Sequence, residues 1–176
     1  TGHDLTVDQI IAVCREGAEV VLSDESREKI LASRQVVNEL VEERKVVYGI
    51  TTGFGKFSDV VISQDECKLL QKNLIITHAV GAGDPFKEDI ARGILLLRVN
   101  SLSNGFSGIC LETVETMIAM LNKGVTPFIP EKGSLGASGD LAPLSHMVLP
   151  MIGLGMAWYK GELLPGAEAM ERAGIP

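Results

Sequence analysis

Apolar residues recur at three- and four-residue steps through most of the chain, and polar residues at the ends of these runs carry helix start and stop signals. Thr6 and Gln9 form a capping-box pair ahead of Ile10, Ile11, Val13 and Cys14, with a stop at Gly17. Ser23 is placed to cap a long helix whose apolar positions are Ile30, Leu31, Val37, Leu40 and Val41, leaving Arg27, Glu28 and Lys29 for solvent. A Gly-rich loop, Tyr48 to Gly55, follows. Ser63 and Glu66 make a second box, and Cys67, Leu70, Leu74 and His78 then share one helix face. Asp84 and Pro85 read as cap and first helical position, opening the run Ile90, Ile94, Leu95 and Leu97. Leu111, Val114, Met117, Ile118 and Leu121 predict one more amphipathic helix, ended by Gly124. The stretch from Leu141 to Tyr159 approaches the length of a membrane span, but Pro143, Pro150, Gly153 and Gly155 interrupt it and it reads as a buried helix. Strand signals are few: Ala18 to Leu22, Lys45 to Tyr48 and Val60 to Ile62. The predicted class is mainly α.

Composition changes this picture only by exclusion. The chain has 176 residues, 45% hydrophobic and 22% charged, enough to bury a core without disulfides or metals, and the expectation is one domain over 1–176 with no internal boundary. Sixteen basic against 23 acidic residues give a net charge of -7, the wrong sign for a surface that neutralises phosphates, so no nucleic-acid partner is expected. Cys14, Cys67 and Cys110 cannot all pair with each other and have no metal-ligand spacing, which points to a reducing compartment; the expectation is a cytoplasmic protein with no membrane partner. A start at Thr1 without a Met and a stop at Pro176, just after a helix signal, suggest a fragment of a longer chain.

Glycine-rich loops invite nucleotide readings that the spacing rejects. Gly55-Lys56 ends like a phosphate loop, but Ile50 stands where the first glycine belongs and Phe57 where the magnesium hydroxyl belongs. Gly81-Ala82-Gly83 meets Phe86 at the third glycine of a dinucleotide fingerprint. Around Ser138 the nucleophile elbow fails at its last position, which is Asp140. His3, His78 and His146 show no metal-binding pattern. No metal and no nucleotide are expected.

What remains is Gly133-Ser134-Leu135-Gly136-Ala137-Ser138-Gly139-Asp140, a loop of small residues running into the apolar stretch Leu141 to His146. One reading is a tight turn with Ser138 or Asp140 capping a helix. The other rests on Ala137-Ser138-Gly139, because so small and tightly bent a tripeptide lets the nitrogen of Gly139 approach the carbonyl of Ala137. On their own Tyr48 reads more readily as a tyrosine packed at a strand end than as a base, and His78 as a core histidine than as a ligand contact.

These residues resemble the aromatic amino acid ammonia-lyases, in which Ala-Ser-Gly cyclises and dehydrates into a 4-methylidene-imidazol-5-one. Three further segments agree in the family's order: Tyr48-Gly49-Ile50-Thr51-Thr52-Gly53-Phe54-Gly55, Leu70-Gln71-Lys72-Asn73-Leu74 leading to Thr77-His78, and Arg98-Val99-Asn100-Ser101-Leu102 with Gly105-Phe106-Ser107-Gly108. The resemblance implies the N-terminal part of a long-helix, aspartase-like architecture with short strands near the active-site loops. It implies a prosthetic group formed from Ala137, Ser138 and Gly139, Tyr48 as catalytic base, and His78 as the residue that reads the substrate side chain. Histidine-specific members resemble Ser-His at that position, tyrosine-specific ones His-Leu and phenylalanine-specific ones Phe-Leu. This chain has Thr77-His78, which keeps the hydroxyl and matches the histidine-specific type. The implied reaction is elimination of ammonia from L-histidine to give urocanate, by a homotetramer whose pockets draw on more than one subunit, so residues 1–176 alone are expected to be inactive. The competing expectations are a tyrosine or phenylalanine lyase or aminomutase of the same family, and a non-catalytic helical assembly subunit.

Overall fold

Thr6 begins the first helix as its spacing predicts: its hydroxyl accepts from the Gln9 amide and the Gln9 side chain accepts from the Thr6 amide, closing a capping box on α1 (Val7–Arg15). The Ser23 hydroxyl accepts from the Ser26 amide and starts α2 (Asp24–Glu42) in the same way. The remaining helices are α3 (Gln64–His78), α4 (Glu88–Leu102), α5 (Leu111–Lys123), α6 (Leu141–Val148) and α7 (Gly166–Arg172), with a 3-10 turn over Leu149–Ile152. Short strands β1 (Ala82–Pro85), β2 (Thr126–Pro127), β3 (Pro130–Lys132), β4 (Met156–Tyr159) and β5 (Glu162–Pro165) complete the order. The computed structural model describes residues 1–43, 45–52 and 64–176, the side chains of 64–68 excepted. The expected strand at Val60 to Ile62 and the Ser63 cap lie outside the described residues.

The mainly α class holds, while the strands fall elsewhere than predicted. Ala18 to Leu22 is no strand: Val20 exchanges two hydrogen bonds of 2.9 Å with the side-chain amide of Asn122, which occupies the place of a partner strand. Lys45 to Tyr48 leads instead into a turn. Asp84-Pro85 does not start a helix. It lies in β1, which pairs antiparallel with β3 in the register Ala82↔Lys132 and Pro85↔Pro130. An edge strand tolerates a proline, and α4 begins later, behind Lys87, with no side-chain cap. The Leu141 to Tyr159 stretch divides where its glycines and proline allow: α6, the 3-10 turn, a left-handed Gly153, then β4 in a three-stranded antiparallel sheet ordered β2-β4-β5.

α4 and α5 supply the centre of the core, with Leu95, Val99, Val114, Met120 and Leu121 nearly or fully buried, and Val125, Ile129, Met147 and Ala157 closing it from the loop, α6 and sheet sides. Each of the larger aliphatic side chains among them contributes roughly 1.5–3 kcal/mol by leaving water. Arg92 on α4 donates to the carbonyls of Val13 at 2.8 Å and Leu121 at 3.1 Å, tying the ends of α1 and α5 to the middle helix. On the far side, α2 packs on the loop after α4. The Gly108 amide donates to Ser33 Oγ and Arg34 donates to the Gly108 carbonyl, so part of the Gly105 to Gly108 motif has a packing role.

Candidate active site

Ala137-Ser138-Gly139 lies in a turn over residues 136–138, immediately before α6. Gly136 at φ +84° and Gly139 at φ +73° supply the left-handed positions that bend it, and a Cβ on Gly139 would meet Ser134 Oγ at 2.8 Å. The turn carries Ser138 at the surface, with Leu135 beside it 86% exposed. Asp140 occupies the N-cap position of α6 as expected, yet its side chain makes no capping hydrogen bond, so the first amides of α6 are not capped by it. The residue types and the bend fit a cyclised tripeptide: a side-chain-free nitrogen donor at Gly139 and a sharply turned backbone from Ala137.

Tyr48 opens a separate turn. The Val47 amide donates to Thr51 Oγ1 at 2.9 Å, that hydroxyl donates to the Lys45 carbonyl, and the Gly49 amide, at a residue with φ +75°, donates to Thr52 Oγ1 at 3.3 Å. Thr51 and Thr52 are buried and fix the turn from beneath, while Tyr48 stands 62% exposed on it. Gly53 and Gly55, the other glycines of this loop, lie outside the described residues.

His78 is the last residue of α3 and is half-buried. Its Nδ1 lies 2.7 Å from the Leu74 carbonyl, and only the ring can donate in that pair. The neutral imidazole is therefore the Nδ1–H tautomer, with Nε2 an acceptor. Thr77 Oγ1 donates to the same carbonyl at 3.1 Å.

The fold joins two of these three components. Three residues past His78, Gly81 lies against Gly133, where a Cβ would come 3.1 Å from the Gly81 Cα, and the β1–β3 ladder runs on from there. The His78 segment and the segment entering the Ala137-Ser138-Gly139 turn are thus held side by side. A second tie comes from α6, whose His146 Nε2 accepts from the Gly81 amide at 2.9 Å. Burial holds the His146 imidazole below its ordinary value, favouring the neutral ring that this bond requires. Sequence spacing gave no role to His146, Gly81 or Gly133; the only signal was a histidine one helix length beyond the small-residue loop. The ladder does not extend to Tyr48. A cavity of about 580 Å³ near α3 and α6 is lined by Leu74, Arg98, Glu112, Leu141 and Ser145 among others, but not by Tyr48, His78 or Ser138, and is not assigned to substrate. Among the described residues no group of acidic, histidine or cysteine side chains is placed to hold a metal, and no helix is long and apolar enough to cross a membrane.

Residues 5–176 match the family model described as aromatic amino acid lyase. A histidine ammonia-lyase of Caldanaerobacter subterraneus subsp. tengcongensis is 61% identical over 99% of this chain, which spans 34% of that relative's length. Among solved structures, the ergothioneine-degrading enzyme ergothionase from Treponema denticola superposes with a TM-score of 0.94 at 32% identity, over 99% of this chain and 35% of that one. The phenylalanine aminomutase of Pantoea agglomerans gives 0.92 at 36% identity, over 99% and 34%.

Proposed function

The chain belongs to the aromatic amino acid lyase family, and from that premise we propose that the natural protein eliminates ammonia from L-histidine to give urocanate. The observation that carries this reading is the juxtaposition of the His78 segment with the Ala137-Ser138-Gly139 turn through Gly81 and Gly133. The 61% identity to a histidine ammonia-lyase supports the choice of substrate.

The residues divide the work as follows. Closure of the Gly139 nitrogen onto the Ala137 carbonyl carbon expels one water, and Ser138 loses its α-hydrogen and β-hydroxyl as a second. The resulting 4-methylidene-imidazol-5-one supplies an electrophilic carbon. Tyr48 takes the substrate's β-proton. It can do so only as the phenolate, and since a phenol ordinarily titrates near pH ~10, the assembled site has to favour loss of the phenol proton or couple that loss to the reaction. His78 Nε2, left as an acceptor by the bond from Nδ1 to Leu74, receives the ring N–H of the substrate imidazole, a contact that a phenyl ring cannot make. Overall one C–H and one C–N bond break, a C=C bond forms, and ammonia leaves. In this reading residues 1–176 form one catalytic-loop unit of a cytoplasmic homotetramer, without metal, nucleotide, nucleic-acid or membrane partner.

The test is made on the natural protein. Urocanate formation from L-histidine, far faster than turnover of tyrosine or phenylalanine, together with an intact mass short by two waters, is expected. Ser138→Ala is expected to abolish both while leaving the helical circular-dichroism signal unchanged. The likeness to an aminomutase favours a second reading, in which the amino group returns to the β-carbon; a β-amino acid product in place of urocanate would establish it.

A further inference from the structure

We propose that His146 is a positioning residue of this site: from α6 it clamps the backbone at Gly81 and so sets the distance between His78 and the Ala137-Ser138-Gly139 turn. The inference rests on the lyase reading above for its catalytic consequence, and on the packing at Gly81 for the clamp itself.

The Gly81 amide lies three residues past His78, and His146 lies eight residues past Ser138. One hydrogen bond of 2.9 Å, from the Gly81 amide to His146 Nε2, spans the two segments. Because the amide donates, Nε2 must be bare, and burial keeps the ring in that state by pushing its protonation below the ordinary range. The fit around this bond is tight. A Cβ on Gly81 would lie 3.0 Å from His146 Nε2, 3.1 Å from its Cδ2 and 3.1 Å from the Pro130 Cβ, so glycine is wedged between the imidazole and β3. A Cβ on Gly133 would lie 3.1 Å from the Gly81 Cα and 3.4 Å from the Ala142 Cβ, so the far wall of the wedge belongs to the strand that enters the catalytic turn and to the first turn of α6. The β1–β3 ladder cannot set this spacing alone, since its register shifts between Ala82 and Pro85 and its pairs begin one residue after Gly81. A rigid ring anchored on α6, the helix that the catalytic turn feeds, supplies what the irregular ladder lacks.

The test compares His146→Leu, which keeps bulk but offers no acceptor, with His146→Gln, which restores one. In the natural protein His146→Leu is expected to lose roughly 10²-fold in kcat/KM on L-histidine, the size of effect that an ångström-scale misplacement produces. His146→Gln is expected to recover most of it. Equal kcat/KM per folded molecule in wild type and His146→Leu would overturn the proposal, as would equal losses in the two variants. If His146→Leu does not fold, Gly81→Ala carries the same comparison, and unchanged kcat/KM there overturns the proposal. Hydrogen exchange separates the clamp from the lyase reading. A slowly exchanging Gly81 amide in wild type is expected whether or not urocanate forms, and a rapidly exchanging one overturns the clamp; absence of urocanate formation by wild type sinks the lyase reading.

Discussion

Tyr48 and His78 differ in how their neighbours prepare them. His78 is committed to one tautomer by the 2.7 Å bond to Leu74, a local contact within its own helix turn that a run ending in Leu74, Thr77 and His78 makes possible. Tyr48 is held by the turn beneath it, where Thr51 and Thr52 are buried and bonded back to residues 45–49. The Tyr48→Phe substitution removes the phenol hydroxyl and leaves the Thr51 and Thr52 hydrogen bonds of the turn in place. That variant is expected to lower kcat in the natural protein by roughly 10²–10⁴-fold, the usual contribution of a general base, with little change in KM. Steady-state kinetics on L-histidine check it, and a raised KM at unchanged kcat would make Tyr48 a binding residue. The family resemblance brought both residues into view, but neither the tautomer of one nor the exposure of the other is written in the sequence.

Among the elements, helices were readable and strands were not. Capping at Thr6 and Ser23 and the stop at Gly124, at φ +75°, are local events, and the structure realises each of them. The strands are two to four residues long and pair with segments far along the chain, so no local alternation marks them. The β4–β5 hairpin shows the limit of that rule, since its two-residue loop did carry a sign. Lys160 at φ +51° and Gly161 at φ +80° are both left-handed, as a primed hairpin turn requires. A Cβ on Gly161 would meet nothing within 4 Å, so Gly161→Ala isolates the backbone cost. It is expected to destabilise the chain by about 1–2 kcal/mol, read as a lower urea midpoint at unchanged m-value. Gly166→Ala tests the opposite case. Its Cβ would fall 2.1 Å from the Leu154 carbonyl oxygen and 2.8 Å from the Pro150 Cα, a clash with backbone that overpacking data place at about 1–3 kcal/mol, or more where the backbone cannot yield.

At the scale of the whole molecule, stability inherits a pH dependence from His146. Burial lowers its affinity for a proton in the folded chain, whereas the unfolded chain titrates it near the ordinary 6.5. Between those values the unfolded state binds more protons, so this contribution is complete above 6.5 and is lost as pH falls below it toward the folded value. Thermal midpoints at neutral and mildly acidic pH are expected to differ in wild type and to draw together in His146→Gln. The same scale separates what was readable from what was not. The sequence alone determined the mainly α class and the helix ends marked by Thr6, Ser23 and Gly124, because each depends on neighbours a few residues away, while the roles proposed for Tyr48, His78 and Ala137-Ser138-Gly139 came through the family resemblance. Only the tertiary structure decided that Gly81, Gly133 and His146 meet, that β1 displaces an expected helix start, and that Asn122 holds Val20 where a strand was expected. These contacts join residues remote in sequence, and their energies come from close packing and buried hydrogen bonds that no local pattern encodes.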